Sequence, residues 1–183
     1  GASSRQVNAG AATYEGFEIE LVVVPVGGLT LAANYGYLDT EFDEYMQLNP
    51  ATNRLENISD IAVATYAPEN TWNAGVQYDF APFSFGALSA RVDVTYRASL
   101  VFHPFLNDLT AADDYTLVNG RISLNDIDLA DCCGKGALRV SLWGKNLADE
   151  EYRNFGIDFD SIGFAGNRFG WPRTYGLDVE YAL

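Results

Sequence analysis

The sequence contains no apolar run of about eighteen residues or more, so it holds no membrane-spanning helix. That absence leaves a membrane barrel open, because barrel strands need only about 9–11 residues each and alternate rather than run apolar. Basic residues are scarce: 11 Lys and Arg stand against 25 Asp and Glu, a net charge of −14. Such a chain repels a phosphate backbone, which excludes nucleic acid as a partner. The single histidine, His103, and the lack of a nucleophile-elbow spacing argue against a Ser–His hydrolase. The only cysteines, Cys132 and Cys133, are adjacent. Neighbours on one peptide are too close for an unstrained disulfide, so they read as an incidental pair in a polar turn rather than a redox or metal site. Gly1-Ala2-Ser3-Ser4 is polar and not a signal peptide, so any export signal is expected to lie upstream or to have been removed.

What the sequence does have is aromatic content, 14% with eleven Tyr and eleven Phe, and 17 glycines, a composition that suits turn-rich β structure. The closing run is the clearest: Tyr175, Leu177, Val179, Tyr181 and Leu183 alternate with Thr174, Gly176, Asp178, Glu180 and Ala182, the period-two pattern of a strand with two unlike faces. Chain termini usually fray. A barrel strand cannot, since every backbone group in a bilayer needs a partner in the sheet.

Six more strands follow from the same pattern. The first runs from about Tyr14 to Val24, and Gly27-Gly28 turns it into a second from Leu29 to Tyr37. A polar stretch from Asp39 to Asn70 then reads as a long loop. The third strand, Thr71 to Phe80, is joined through Pro82–Gly86 to a fourth, Leu88 to Ser99. After a second long connection, Val101 to Asp114, comes a fifth around Val118–Leu124. The turn from Asp126 to Gly136 leads to a sixth, Leu138–Leu142, and a third long loop, Ala148 to Asn167, precedes the last strand. Connections that alternate short and long are the mark of a transmembrane barrel, with short periplasmic turns and longer outer loops.

The expected fold is therefore all-β: antiparallel up-and-down strands of a transmembrane β-barrel. Seven strands are an odd number, whereas single-chain bacterial barrels have an even one, so residues 1–183 are expected to be part of a larger barrel of roughly twenty-two strands. The polar strand faces, with Glu18, Glu20, Asn34, Arg91, Asp93, Arg97, Arg121 and Arg139, would line its lumen. Alternation alone fits a soluble β-sandwich equally, with those residues in water. Aromatics at the strand ends (Tyr35, Tyr37, Trp72, Phe80, Tyr96, Trp171, Tyr175 and Tyr181) favour the barrel, since they match interfacial girdles.

The loops carry Phe42, Tyr45, Phe102, Phe105, Phe155, Phe159, Phe164 and Phe169, suited either to stacking on a ligand or to holding the loops together or meeting the outer membrane interface. The acidic groups Asp113-Asp114 and Asp149-Glu150-Glu151 read as solvated loop charges rather than an acid–base pair. No catalytic residue, cofactor or metal site is expected, and calcium lacks a loop signature.

Leu142–Tyr152 (LWGKNLADEEY), Pro172-Arg173-Thr174-Tyr175-Gly176-Leu177 and the terminal Tyr181-Ala182-Leu183 resemble the C-terminus of a TonB-dependent outer-membrane receptor. Val7-Asn8-Ala9-Gly10 and Tyr14–Glu20 resemble a strand found several strands earlier in the same family. The resemblance implies a Gram-negative outer-membrane protein that is not an enzyme. It implies lipid around the barrel and energised uptake of a scarce extracellular ligand such as a siderophore, cobalamin or saccharide. It also implies that contact with TonB is made through a plug and N-terminal parts absent here. Gly176, Tyr181 and Leu183 fall where the family's terminal assembly signal lies, although Leu183 stands where such proteins usually end in Phe. A secreted or surface β-sandwich binding module and a passive porin fragment are the alternatives. The isolated segment is expected to self-associate, because both edges of its sheet are open.

Overall fold

The computed structural model describes residues 10–49, 51–105, 108–128, 136–159 and 163–182. Cys132, Cys133, Leu183 and the Val7–Ala9 part of the family resemblance lie outside them. The strands are β1 (Gly10–Val26), β2 (Leu29–Asn49), β3 (Arg54–Asn57), β4 (Asn70–Asp79), β5 (Ala87–Arg97), β6 (Leu100–Val101), β7 (Ala111–Ala112), β8 (Tyr115–Asp128), β9 (Ala137–Lys145), β10 (Arg153–Phe159), β11 (Phe164–Phe169) and β12 (Thr174–Ala182). Seven form one antiparallel ladder in chain order, β1-β2-β4-β5-β8-β9-β12, as the alternation predicts. The other five are short pieces within the long connections.

The long connections are more structured than the sequence suggests. The Asp39–Asn70 stretch is not all loop, because β2 continues to Asn49 and β3 folds back on it, pairing Met46 with Asn57 and Asn49 with Arg54. The strand was hidden there because Asp39, Glu41, Asp43 and Glu44 put charge on both faces, which erases the alternation. The Ala148–Asn167 loop holds the β10–β11 hairpin, and the loop between β5 and β8 holds the β6–β7 pair. At the opposite end, Gly27-Gly28 makes the tightest turn. Gly28 sits at φ 82° against the Asp79 carbonyl, which leaves no room for a side chain. Near the end of β8 a bulge between Leu124 and Ile127 carries the strand on to Asp128, past the expected turn at Asp126.

Register gives the sheet two chemically distinct faces. One transverse row reads Val26, Leu29, Tyr78, Ala90, Ile122, Leu142, Leu177, and the next toward the loops reads Val23, Leu31, Val76, Val92, Gly120, Gly144, Tyr175. These rows stand open: Ile122 is 55% exposed, Leu142 62% and Leu177 60%. Among the described residues no second sheet covers them, so the sandwich alternative fails on its own terms, since a sandwich seals its apolar face between layers. The whole chain exposes 12691 Å², whereas a monomeric globular protein of its mass exposes about 8,700 Å².

Aromatic side chains bracket the apolar face. Toward the loops, Phe17 packs on Tyr35 and Tyr37 at 5.8 and 5.7 Å, and Trp72 stacks on Tyr96 at 5.8 Å. Toward the short turns, Tyr78 meets Phe80 edge-on at 4.7 Å and Phe83 meets Phe85 at 4.8 Å. Trp72 to Phe80 is roughly 27 Å along the strand, or about 20 Å across a bilayer at a tilt of ~40°. The buried apolar residues (Ala64, Leu100, Val101, Phe102 and Ala112) are not in the ladder but in the connections above it.

Candidate functional site

All eight polar residues singled out from the sequence share the face opposite the apolar rows. Glu18 lies in the row Glu18, Gly36, Thr71, Arg97, Tyr115, and Glu20 in the row Glu20, Asn34, Asn73, Thr95, Leu117. Nearer the short turns, Gln77, Arg91, Arg121, Trp143 and Gly176 form another row. Asp93 alternates with Arg91 along β5, and Arg139 with Trp143 along β9, so both point the same way. Side chains bond across strands here: Asn73 Nδ2 donates to Asn34 Oδ1 at 3.0 Å, and the Thr95 hydroxyl donates to Asn73 Oδ1.

Three of the arginines hold carboxylates. Arg91 pairs with Asp93 at 2.6 Å, Arg121 with Asp178 at 2.8 Å and Arg139 with Glu180 at 3.3 Å. All are solvent-exposed, so each contributes at most about 1 kcal/mol. Asp178 also accepts the Trp143 indole N–H at 2.9 Å, which ties β8, β9 and β12 together. The Trp143 ring lies across Gly176, where a Cβ would come within 2.5 Å of Cζ2. Only glycine fits under that ring, a local packing reason for Gly176 within the resembling motif. Tyr181 stands on the apolar face beside Leu138. Arg91, Arg121 and Arg139 border a groove of about 620 Å³ with Ser89, Ser123 and Asn125, and Ser123 Oγ accepts from Ser141 Oγ at 2.9 Å.

Above this wall the three long connections pack into one cap. The middle one joins the other two: Val63 N donates to Pro104 O and Tyr66 N to Val101 O on one side, while Asn167 Nδ2 donates to Leu109 O at 2.8 Å on the other. Phe102 is buried between Tyr66 at 5.4 Å and Phe155 at 6.5 Å. Phe42, Tyr45 and Phe105 form a chain of edge contacts at 5.0 and 6.5 Å, and Phe159 meets Phe164 at 5.0 Å. Of these, the contacts of Phe102 with Tyr66 and Phe155 and of Tyr45 with Phe105 join different connections, while Phe42–Tyr45 and Phe159–Phe164 each lie within one. His103 lies beside Phe105 at 5.3 Å. Asp149 is committed to the Arg173 amide and guanidinium, both at 3.1 Å. Among the described residues no group of three His, Cys, Asp or Glu side chains is arranged to hold a metal ion.

The seam between wall and cap rests on Asn146, which the sequence reading passed over inside the LWGKNLADEEY run. It adopts φ 51°, a conformation Asn tolerates, and is 4% exposed. Its amide donates to Glu150 O at 2.8 Å and Trp171 O at 3.1 Å, its Oδ1 accepts from Glu150 N at 2.8 Å, and its backbone N donates to Asn119 Oδ1 at 3.0 Å. One side chain thus closes the turn after β9 and pins both the start of the third connection and its return. Leu147 folds over Gly120 and Gly144 on the apolar face, where a methyl on Gly144 would collide with it.

Comparison with known proteins agrees with this geometry. Residues 1–147 match the family model described as "TonB dependent receptor-like, beta-barrel". Among solved structures, the ferric yersiniabactin uptake receptor FyuA from Yersinia pestis aligns with a TM-score of 0.71 at 19% identity, over 96% of this chain and 24% of that one. The chain thus spans about a quarter of the length of that receptor.

Proposed function

This chain belongs to the TonB-dependent receptor β-barrel family, outer-membrane transport proteins of Gram-negative bacteria rather than enzymes, and from that premise we propose that it is the C-terminal stretch of wall in a larger, plugged barrel. The whole protein takes up a scarce extracellular ligand, with energy delivered through TonB to parts outside these residues. Glu18, Glu20, Asn34, Arg91, Asp93, Arg97, Arg121 and Arg139 line the lumen, and the apolar rows face lipid. Gly176, Tyr181 and Leu183 belong to the signal read during barrel assembly.

The observation that carries the reading is the single-layer sheet of the described residues, apolar and open on one face, polar and ion-paired on the other, with β1 and β12 as its two edges. Such a sheet is stable only where lipid meets one face and further strands meet the edges. The test is uptake by a strain deleted for the full gene and complemented with it, across siderophores, cobalamin and oligosaccharides. Ferric chelates come first in that panel because FyuA is a receptor for one. One ligand should be taken up only with the gene present and TonB functional. Uptake that persists without TonB would make the protein a passive porin.

A further inference from the structure

On the apolar face, the transverse row through Val76 and Val92 loses its side chains at two adjacent positions, because Gly120 of β8 and Gly144 of β9 are register partners. A recess of about 610 Å³ opens there. Val92 and Tyr175 stand at its sides, as the next register partners of the two glycines, and Ile122 and Leu142 stand toward the short turns. Leu147, whose amide donates to Val118 O, roofs it from the loop side and reaches over both glycines. The packing preserves the recess, since a Cβ on Gly144 would come within 2.5 Å of Leu147 Cδ2. Its wall is lowest at Ala90, which stands between Tyr78 and Ile122 in the next row and offers only a methyl group. The recess is thus roofed toward the loops and open toward the short turns.

Its depth identifies what fills it. Val76, in the same row, lies midway along the chain between Trp72 and Phe80, the aromatic residues that bracket the apolar face toward the loops and toward the short turns. The recess therefore lies at the centre of a lipid-facing band, where the chains of the two leaflets end. Water finds nothing to bond there, because the amide groups of the ladder are paired strand to strand. Left empty, the lining would forfeit its dispersion contacts on the open side. A flexible hydrocarbon chain end is the group that reaches this depth and fits between side chains. The roof at Leu147 turns away a chain descending from the loop side, and the gap at Ala90 admits one rising from the short-turn side, the periplasmic side of such barrels.

We propose that this recess is a binding site for the end of a phospholipid acyl chain, which enters past Ala90 from the leaflet on the short-turn side and lodges against Gly120 and Gly144 beneath Leu147. This rests on the apolar rows facing lipid. The bound chain covers the ladder where its own side chains stop short, so this part of the wall is sealed by a ligand rather than by passing lipid.

The test places the full-length receptor in phosphatidylglycerol vesicles whose short-turn-side leaflet alone carries a phosphatidylethanolamine with a photoactivatable diazirine at a chain end. Adducts are then mapped by mass spectrometry of the digested protein. Labelling of Gly120, Gly144 and Leu147 is expected at several-fold the level found on Leu31 and Val76, which share the row but not the recess. Ala90→Phe, which fills the gap, should remove that excess, whereas Val76→Phe, which adds the same ring outside the recess, should leave it. Even labelling along the row, an excess that survives Ala90→Phe, or an excess that appears only with the probe in the opposite leaflet would each overturn the proposal. So would crosslinks between receptor copies in place of lipid adducts, since a second copy would then cover the recess. Should Ala90→Phe fail to fold, the distribution of label along the row of the unaltered receptor still decides. Failure of the lipid-facing assignment is distinguished separately: label would then be missing from Leu31, Val76 and the recess alike.

Discussion

The ladder and the cap are built from one chain with similar aromatic and aliphatic side chains, yet they satisfy those side chains in opposite ways. In the ladder apolar residues such as Leu142 and Leu177 stand more than half exposed, and they need an outside medium to cover them. In the cap Phe102 is 7% exposed and Ala112 1%, in a small core assembled from segments far apart in sequence. Hydrogen bonding separates the two regions in the same way. The ladder satisfies its backbone strand to strand and leaves both edges waiting. The cap joins its segments by isolated backbone bonds, such as Val63 to Pro104, and by side-chain bonds such as Asn167 to Leu109 and Arg153 to Ala111. The ladder is therefore conditional on its surroundings and the cap is not.

The bluntest way to break that contrast is to remove the surroundings. Freed of detergent, the isolated 183-residue chain should self-associate or aggregate almost completely, through its apolar face and its open β1 and β12 edges. A soluble monomer by sedimentation would mean that the ladder covers itself. Next in size, Phe102→Ala should cost the cap about 3 kcal/mol or more by leaving a cavity. It should make the Val101–Asp114 region open to protease in the full-length receptor while the heat-resistant barrel persists. Equal loss of both would show one cooperative unit. Ile122→Arg, placing a charge near the middle of the apolar face, should destabilise folding into bilayers by about 2–4 kcal/mol. Leu55→Arg on the exposed β3 should change little, and equal effects would contradict a lipid-facing ladder.

The smallest effect concerns the hairpin tip at β2–β3. Hydrogen bonds from Asn49 and Thr52 hold the Glu56 carboxyl below the ordinary glutamate range. A depressed folded-state value stabilises the tip at pH above the unfolded value of about 4.3, and that contribution is lost as pH falls through the folded value. Amide protection across Asn49–Asn57 should therefore drop on acidification in the native chain. It should stay flat in Glu56→Gln, with the ladder strands unaffected in both.

How far the sequence foretold the structure follows the same division. The seven ladder strands were legible because lipid on one side and water on the other impose strict alternation, as in Leu88, Ala90, Val92, Val94 and Tyr96. The cap was not, because its strands are short and their partners distant. Phe155, Ile157 and Phe159 do alternate with Asn154, Gly156 and Asp158, but three positions inside an acidic loop make a faint signal. The eight polar-face residues were found as a class from period alone. What sets Arg97, whose Nη2 donates to the Arg153 carbonyl, apart from Arg91 was invisible, since that partner lies 56 residues along the chain. Asn146 was quoted as part of a resembling run, without the fourfold bonding that explains it.

The keystone position of the middle connection carries a mechanical corollary. A receptor whose outer segments were three independent fingers would let each close on a cargo separately, at a separate entropic cost. Here Pro104 and Val101 are bonded to one neighbour and Leu109 and Ala111 to the other, so a push on any finger is felt by all three. The three connections are thereby braced against one another, and the tallest of them is built on β2, which runs unbroken from Leu29 to Asn49.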